Sequence, residues 1–190
     1  MMTSIYFHPF RRKDMKKVAY LLFIILLSSS ISGCTGEVEK EEDMSGADLS
    51  YADMSDRDLS YVNLSAANLT GADLTGANLT GADLTGAILA VAGLNNANLT
   101  DADLRNAILD GAALSDADLS NAILDGATLA GAGLWYADLS GADLSNAILY
   151  GATLYDADLT YAILYDANLR YAYLRYADLG RAALMNADLT

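Results

Sequence analysis

Cys34 is the only cysteine and His8 the only histidine in a chain of 190 residues. From Thr35 onward neither a Cys/His metal site nor a Ser-His or Cys-His nucleophile pair can be assembled. Serines and threonines are plentiful, but Asp is the one base within their reach. Carboxylate pairs are the chemistry that remains. The aspartates recur at a fixed interval, so they read as the solvated outer side chains of a repeat, not as an acid and base brought together for a reaction. Calcium would take about six to eight oxygens, yet the sequence contains no EF-hand loop and no glycine-aspartate nonapeptide. No catalytic group, cofactor or metal is expected.

The interval itself is the strongest signal. From Met44 to Leu189 every fifth residue is Leu, with Met only at 44 and 54, and the series of thirty runs without an insertion or deletion. Two residues before each, from Ala47 to Ala187, stands Ala, except at Arg57 and Val62. On an α-helix a step of five residues at about 100° each scatters the Leu around the cylinder. In a continuous strand an odd period sends successive Leu to opposite faces. A short extended Ala-x-Leu followed by a corner satisfies both constraints, because its two apolar side chains then point the same way. The residues between, as in Leu74-Thr75-Gly76-Ala77, are types that tolerate turns. Four such sides close a square coil with Leu and Ala inside, and Leu74, Leu79, Leu84, Leu114 and Leu139 with Ala72 and Ala77 are the expected core.

Spelled out as Ala72-Asp73-Leu74-Thr75-Gly76 and Ala77-Asn78-Leu79-Thr80-Gly81, the unit closely resembles the consensus of the pentapeptide-repeat family. The resemblance covers residues 44–190. It implies an all-β, right-handed quadrilateral β-helix, a solenoid with about 20 residues per coil and about seven coils. At about 4.8 Å per coil the rod would be about 35 Å long. Arg57 and Val62 interrupt the Ala column near the start, so a looser first coil is expected.

The N-terminal segment reads as an address. Met15-Lys16-Lys17 precedes an apolar run from Val18 to Leu27, then Ser28 to Cys34. Ten apolar residues are too few for the roughly 20 that span a bilayer, and they suit a signal-peptide core. Ile31-Ser32-Gly33-Cys34 resembles a lipobox, which implies that Cys34 receives diacylglycerol and becomes the first residue after cleavage. On this reading residues 1–33 are leader and lipoprotein signal peptide, with the start at Met1 or at Met15. Residues 34–43 are the lipidated Cys and an acidic tether holding Glu37, Glu39, Glu41, Glu42 and Asp43, and residues 44–190 are the β-helix. The expected location is the cell membrane, lipid-anchored on the extracytoplasmic side. The formal charge of the whole chain is −14, which repels nucleic acid and anionic headgroups.

Rows of 20 residues separate four unlike sides. The side through Asp58, Asn78, Asn98, Asp118, Asp138, Asp158 and Asp178 keeps an acid or amide in every coil. Ile88, Ile108 and Ile148 on one side, and Ile123 and Ile163 on another, replace it and form an apolar stripe. Trp135, Tyr155 and Arg175 are spaced by 20 and should stack as one outward column, and Tyr150 and Arg170 as a second. Tyr171, Tyr173 and Tyr176 crowd the same end. Trp, Tyr and Arg dominate interface hot spots, so Trp135, Tyr150, Tyr155, Arg170, Tyr173 and Arg175 are the candidate protein-binding residues, set against the plainer role of stiffening the rod.

Three functions follow. The first is a non-enzymatic, membrane-anchored extracytoplasmic scaffold that binds an unknown protein or associates with itself through the C-terminal coil, as some members of the family do. The second, implied by the resemblance, is a DNA-mimicking inhibitor of a topoisomerase such as DNA gyrase, which requires a cytoplasmic form. The third, an enzyme, lacks a site.

Overall fold

The computed structural model describes residues 43–190; Cys34, the leader and most of the tether lie outside them. The chain is an all-β quadrilateral helix in which each residue before an inner Leu bridges, in parallel, the residue 20 positions on, from Asp43 with Asn63 to Asn168 with Asp188. We name the sides by these bridge columns. The first begins at Asp43, the second at Asp48, the third at Asp53 and the fourth at Asp58.

Five residues close one side because their backbone groups nearly all find partners within the coil stack. In the unit around Leu74, the Leu74 amide donates to Gly93 O at 2.7 Å, the Gly76 amide to Asn95 O at 2.9 Å and the Ala77 amide to Leu74 O at 3.0 Å. Asp73 N–H donates in the other direction, to Ala52 O, at 2.9 Å. The bond from Ala77 to Leu74 closes a four-residue turn, and its third residue has positive φ at every corner from Gly46 to Asn186. Positive φ at that position alone defines a type II turn. Gly, Asn and Asp accept it at little cost. Val91, at φ 52°, is the least tolerant residue to hold it, being branched at Cβ. Some corner glycines serve a second purpose: a Cβ on Gly71 would lie 2.6 Å from the Tyr51 ring, and one on Gly81 2.6 Å from Tyr61.

The interior is a column of Leu over Leu with Ala beside it. Leu74, Leu79, Leu84, Leu114, Leu139, Ala72 and Ala77 have no exposed surface, and no polar or charged residue is buried among the described residues. Burial of one Leu side chain is worth about 1.5 to 3 kcal/mol, and each also supports its neighbours above and below. Only the last coil departs from this: Leu174, Leu179 and Leu184 are half-buried and Leu189 is 52 % exposed.

The first coil is not distinctively loose. Its turn bonds at Arg57 and Val62 lengthen to 3.3 Å, but Ala137 and Ala167, with ordinary Ala columns, have the same length. Arg57 is half-buried while Val62 is buried, so the wall absorbs both larger residues locally.

Candidate protein-binding surface

One backbone N–H per repeat, that of the residue after the inner Leu, points away from the coil stack and receives no backbone acceptor. Where the bridge residue is Asp or Asn, its Oδ1 reaches two residues along and accepts that amide, as from Ser60 to Asp58 at 3.1 Å, Thr80 to Asn78 at 3.2 Å and Ser140 to Asp138 at 2.8 Å. Several Ser and Thr hydroxyls donate to the same oxygen, for example Ser60 Oγ at 2.7 Å. An unpartnered amide costs about 1 to 3 kcal/mol when shielded from water, which is the physical reason for the Asp or Asn of the repeat. Sequence reasoning took these residues as merely solvated; the constant spacing of two between an Asx and a Ser or Thr was the signal it passed over. These bonds also hold carboxyls below their ordinary range, first through the Ser60 hydroxyl at Asp58 and the Ser55 hydroxyl at Asp53. At Asp118 desolvation is the largest influence and acts upward, but bonds from Ser120 and Thr100 outweigh it.

The fourth side has this arrangement in every coil. The third side abandons it after Asp73, where the bridge column continues as Gly93, Ala113, Gly133, Thr153 and Tyr173. The Ser115 amide is rescued by Asn95 Oδ1 of the preceding coil at 3.0 Å. Among the described residues the amides of Trp135, Tyr155 and Arg175 have no acceptor.

Around these open amides the aromatic residues gather. Trp135 and Tyr155 stack along their column with centroids 6.4 Å apart and planes at 48°. Tyr155 also receives Tyr136 and Tyr176 edge-on, at 6.1 and 5.3 Å. Burial against these rings, and then the Asp156 carboxylate, push the Tyr155 phenol pKa up. Arg175 corrects the expected column: its guanidinium lies 4.6 Å from the ring of Tyr176, not over Tyr155, and Nη2 donates to the Tyr176 hydroxyl at 2.7 Å. Arg170 likewise turns from Tyr150 to Tyr171, at 5.6 Å, and lies 3.8 Å from Asp188, while Tyr150 meets Tyr171 edge-on at 5.3 Å. In both cases the next residue is a corner Tyr whose positive φ swings its ring beside the Arg on the same coil. Of the corner tyrosines, Tyr171 and Tyr176 stand at the end the sequence marks as crowded, and Tyr136 is the one member that the sequence reading missed. Tyr173 is exposed and makes no ring contact among the described residues.

The result is an outward surface running from Tyr150 and Arg170 across Tyr171, Tyr173 and Arg175 to Tyr136 and Tyr176. Trp135 is half-exposed, and cation–π pairing of this kind is worth about 0.5 to 2 kcal/mol. A third pair, Arg181 on Tyr161, has 5.3 Å to the centroid and a 2.7 Å bond to the hydroxyl. Ile88, Ile108, Ile123 and Ile148 of the stripe are each a little over one-third exposed. No cluster of three or more His, Cys, Asp or Glu with metal-binding geometry occurs among the described residues.

Comparison with known proteins gives the lineage. The family model described as pentapeptide repeats matches in eight copies, over residues 58–90, 97–135, 122–160 and 162–190. Among solved structures, the chain is similar to HetL, a pentapeptide repeat protein involved in heterocyst differentiation regulation from the cyanobacterium Nostoc. The two are 39% identical, with 76% of this chain and 75% of HetL covered, at a TM-score of 0.56. Rfr23, from the cyanobacterium Cyanothece, is 34% identical over 58% of this chain and 63% of its own, at a TM-score of 0.36. QnrB1, a plasmid-mediated fluoroquinolone resistance protein, is 18% identical over 78% of this chain and 80% of its own, at a TM-score of 0.42. Comparison with curated protein sequences finds no match. The uninterrupted five-residue unit, the square coil it builds, the family model and the likeness to HetL together place the chain in the pentapeptide repeat family.

Proposed function

We propose that this chain is a non-enzymatic, lipid-anchored scaffold that works on the extracytoplasmic side of a membrane and binds protein through its late coils. The observation that carries the reading is the outward group of Trp135, Tyr136, Arg175 and Tyr176, all exposed, around a half-buried Tyr155 on the third side and its corner. Large rings outside a core of Leu contribute little to folding, whereas hot-spot pairs of this composition dominate protein interfaces. The anchor rests on the apolar run and on Ile31-Ser32-Gly33-Cys34 in the sequence. Self-association and capture of another protein are both uses of this surface.

Two experiments test the two halves. Cys34→Ala should abolish incorporation of labelled lipid and processing of the precursor; a precursor processed normally without Cys34 removes the anchor. Tyr155→Ala combined with Arg175→Ala should leave the circular dichroism unchanged and lower the associated fraction in sedimentation and in pull-down from membranes. A typical hot-spot truncation costs at least about 2 kcal/mol of binding. An unchanged associated fraction and an unchanged set of co-purifying proteins would leave these rings only the task of stiffening the rod.

A further inference from the structure

The third side is not uniform along the axis, and its two halves are opposite in character. Early coils carry Asp53 and Asp73 in the bridge column with Asp56 at the corner; late coils carry Trp135, Tyr155, Tyr173, Arg175 and Tyr176. Between them lie the small residues Gly93, Ala113 and Gly133. Read in reverse about Ala113, the column pairs Gly93 with Gly133, Asp73 with Thr153 and Asp53 with Tyr173. In the neighbouring column of residues after the inner Leu, the same reversal sets Arg175 on Ser55, between Asp53 and Asp56, and Trp135 on Asn95 beside Gly93.

We infer that the third side is the contact face of a two-fold dimer, with a second copy of this chain lying antiparallel on it and the axis passing at Ala113. The inference rests on the protein-binding reading above and names its partner. A two-fold contact requires one patch to complement itself, and three properties of this side meet the requirement. Charge is complementary at the two ends, where Arg175 and the Tyr176 hydroxyl of one copy face the carboxylates of the partner's Asp53 and Asp56; at the axis the corner column sets Asp116 beside its own copy. Size is complementary: the bulky Trp135 meets a Gly-flanked position, and glycine and alanine at the centre let the sheets approach. Hydrogen bonding is complementary as well. The open amides of Tyr155 and Arg175 face the end that holds Asp73 and Asp53, whose Oδ2 atoms accept no hydrogen bond among the described residues, Asp53 having only the charge of Arg57 nearby. The other polar sides fail the same reversal. The fourth carries Asp or Asn from Asp58 to Asp178, the second would set Asp48 against Asp188, and the first Asp83 against Asp143. A face about 35 Å long and about 10 Å wide is well below the roughly 800 Å² per partner of a standard stable interface. The dimer is therefore weak in dilute solution and is populated at high concentration or when copies are held on one surface.

The test uses the full lipidated chain in detergent: on the reading above the sulfur of Cys34, its one cysteine, is taken up by the lipid, so an introduced thiol is the one left free. Ala113→Cys should cross-link to itself with a short bis-maleimide, while Asp118→Cys on the fourth side and Thr190→Cys in the last coil should not. Arg175→Asp should raise the dissociation constant at least about tenfold, because it sets like charges together. Adding Asp53→Arg should restore it, which a purely local effect on either coil would not do. Cross-linking at Thr190 in place of Ala113, or failure of the double swap to restore pairing, overturns this geometry while leaving the protein-binding reading in place. If neither Arg175→Asp nor Tyr155→Ala with Arg175→Ala changes any association, both fall together.

Discussion

The third and fourth sides are built from the same five-residue unit on the same Leu column, yet they use their outward positions in opposite ways. On the fourth side every bridge residue is Asp or Asn, and each accepts the amide that the coil leaves over, as Asn78 does from Thr80 while donating to Asp58 at 3.0 Å. That side is polar and self-satisfied. The third side gives up the capping residue from Gly93 onward, leaves the amides of Trp135, Tyr155 and Arg175 open, and fills the space around them with rings. A repeat protein can thus release a side from local duty without touching its core, and the released side is where recognition chemistry has room to collect.

The comparison requires first that the core be common to both sides. Leu114 and Leu139 back the third and fourth sides respectively, and both have no exposed surface. Leu114→Arg and Leu139→Arg should each unfold the neighbouring coils, a loss of about 4 kcal/mol or more from an uncompensated buried charge; circular dichroism and melting read it. Equal collapse in both variants is expected, and survival of one would mean that the two columns are not equivalent.

The capping difference is sharpened by exchanging it. Asn78→Ala removes bonds to Thr80 and Asp58 and should lower stability by about 1 to 3 kcal/mol in urea denaturation. The opposite move, Gly133→Asn, should cap the Trp135 amide and raise stability by about 1 kcal/mol. An added side chain has room there, since a Cβ at Gly133 meets nothing within 4 Å. If Gly133→Asn destabilises the rod, the open amides of the third side are already satisfied.

Removing rings should matter least to the fold. Tyr155→Ala with Arg175→Ala is expected to shift the melting temperature by only about 2 to 4 °C, because their contacts lie outside the Leu column, while association falls. A large drop in melting temperature would make the cluster part of the scaffold and dissolve the distinction between the sides.

The smallest effect is in acid. Asp58 is held below the usual carboxylate range, first by the Ser60 hydroxyl, then by its amide and by Asn78. A carboxyl depressed in the folded state contributes stability that is complete above its unfolded pKa of about 3.9. That contribution is lost as pH falls through the folded value. Asp58→Asn keeps the accepting oxygen but cannot titrate, so its melting temperature should decline less steeply than the parent's on acidification from about pH 5 to about pH 2.5. Parallel curves would show that this bond is equally strong to a neutral acceptor.

Fold and core were legible because the period of five admits almost no other solution, and a narrow interior selects Leu at twenty-eight of thirty inner places, with Met at 44 and 54. The candidate surface was legible only in part. Column spacing of 20 placed Trp135 over Tyr155, but it could not foresee that Arg170 and Arg175 would turn to Tyr171 and Tyr176, since that depends on positive φ at the corners. The open amides were invisible for a related reason: they follow from which hydrogen bonds the coil stack omits, and sequence composition carries no record of an omitted bond.

The indifference of the core to which side it supports has a consequence for heredity. Every Ala-x-Leu presents nearly the same inner surface, so loss or gain of a single five-residue unit would leave the stack closed and well filled. It would also turn all later outward residues by a quarter revolution, carrying Trp135, Tyr155 and Arg175 onto an adjoining side and away from Asp53 and Asp73. A lineage of such chains can therefore tolerate small slips in folding terms while erasing its surface pattern at once. Only changes of a whole coil, 20 residues, preserve both.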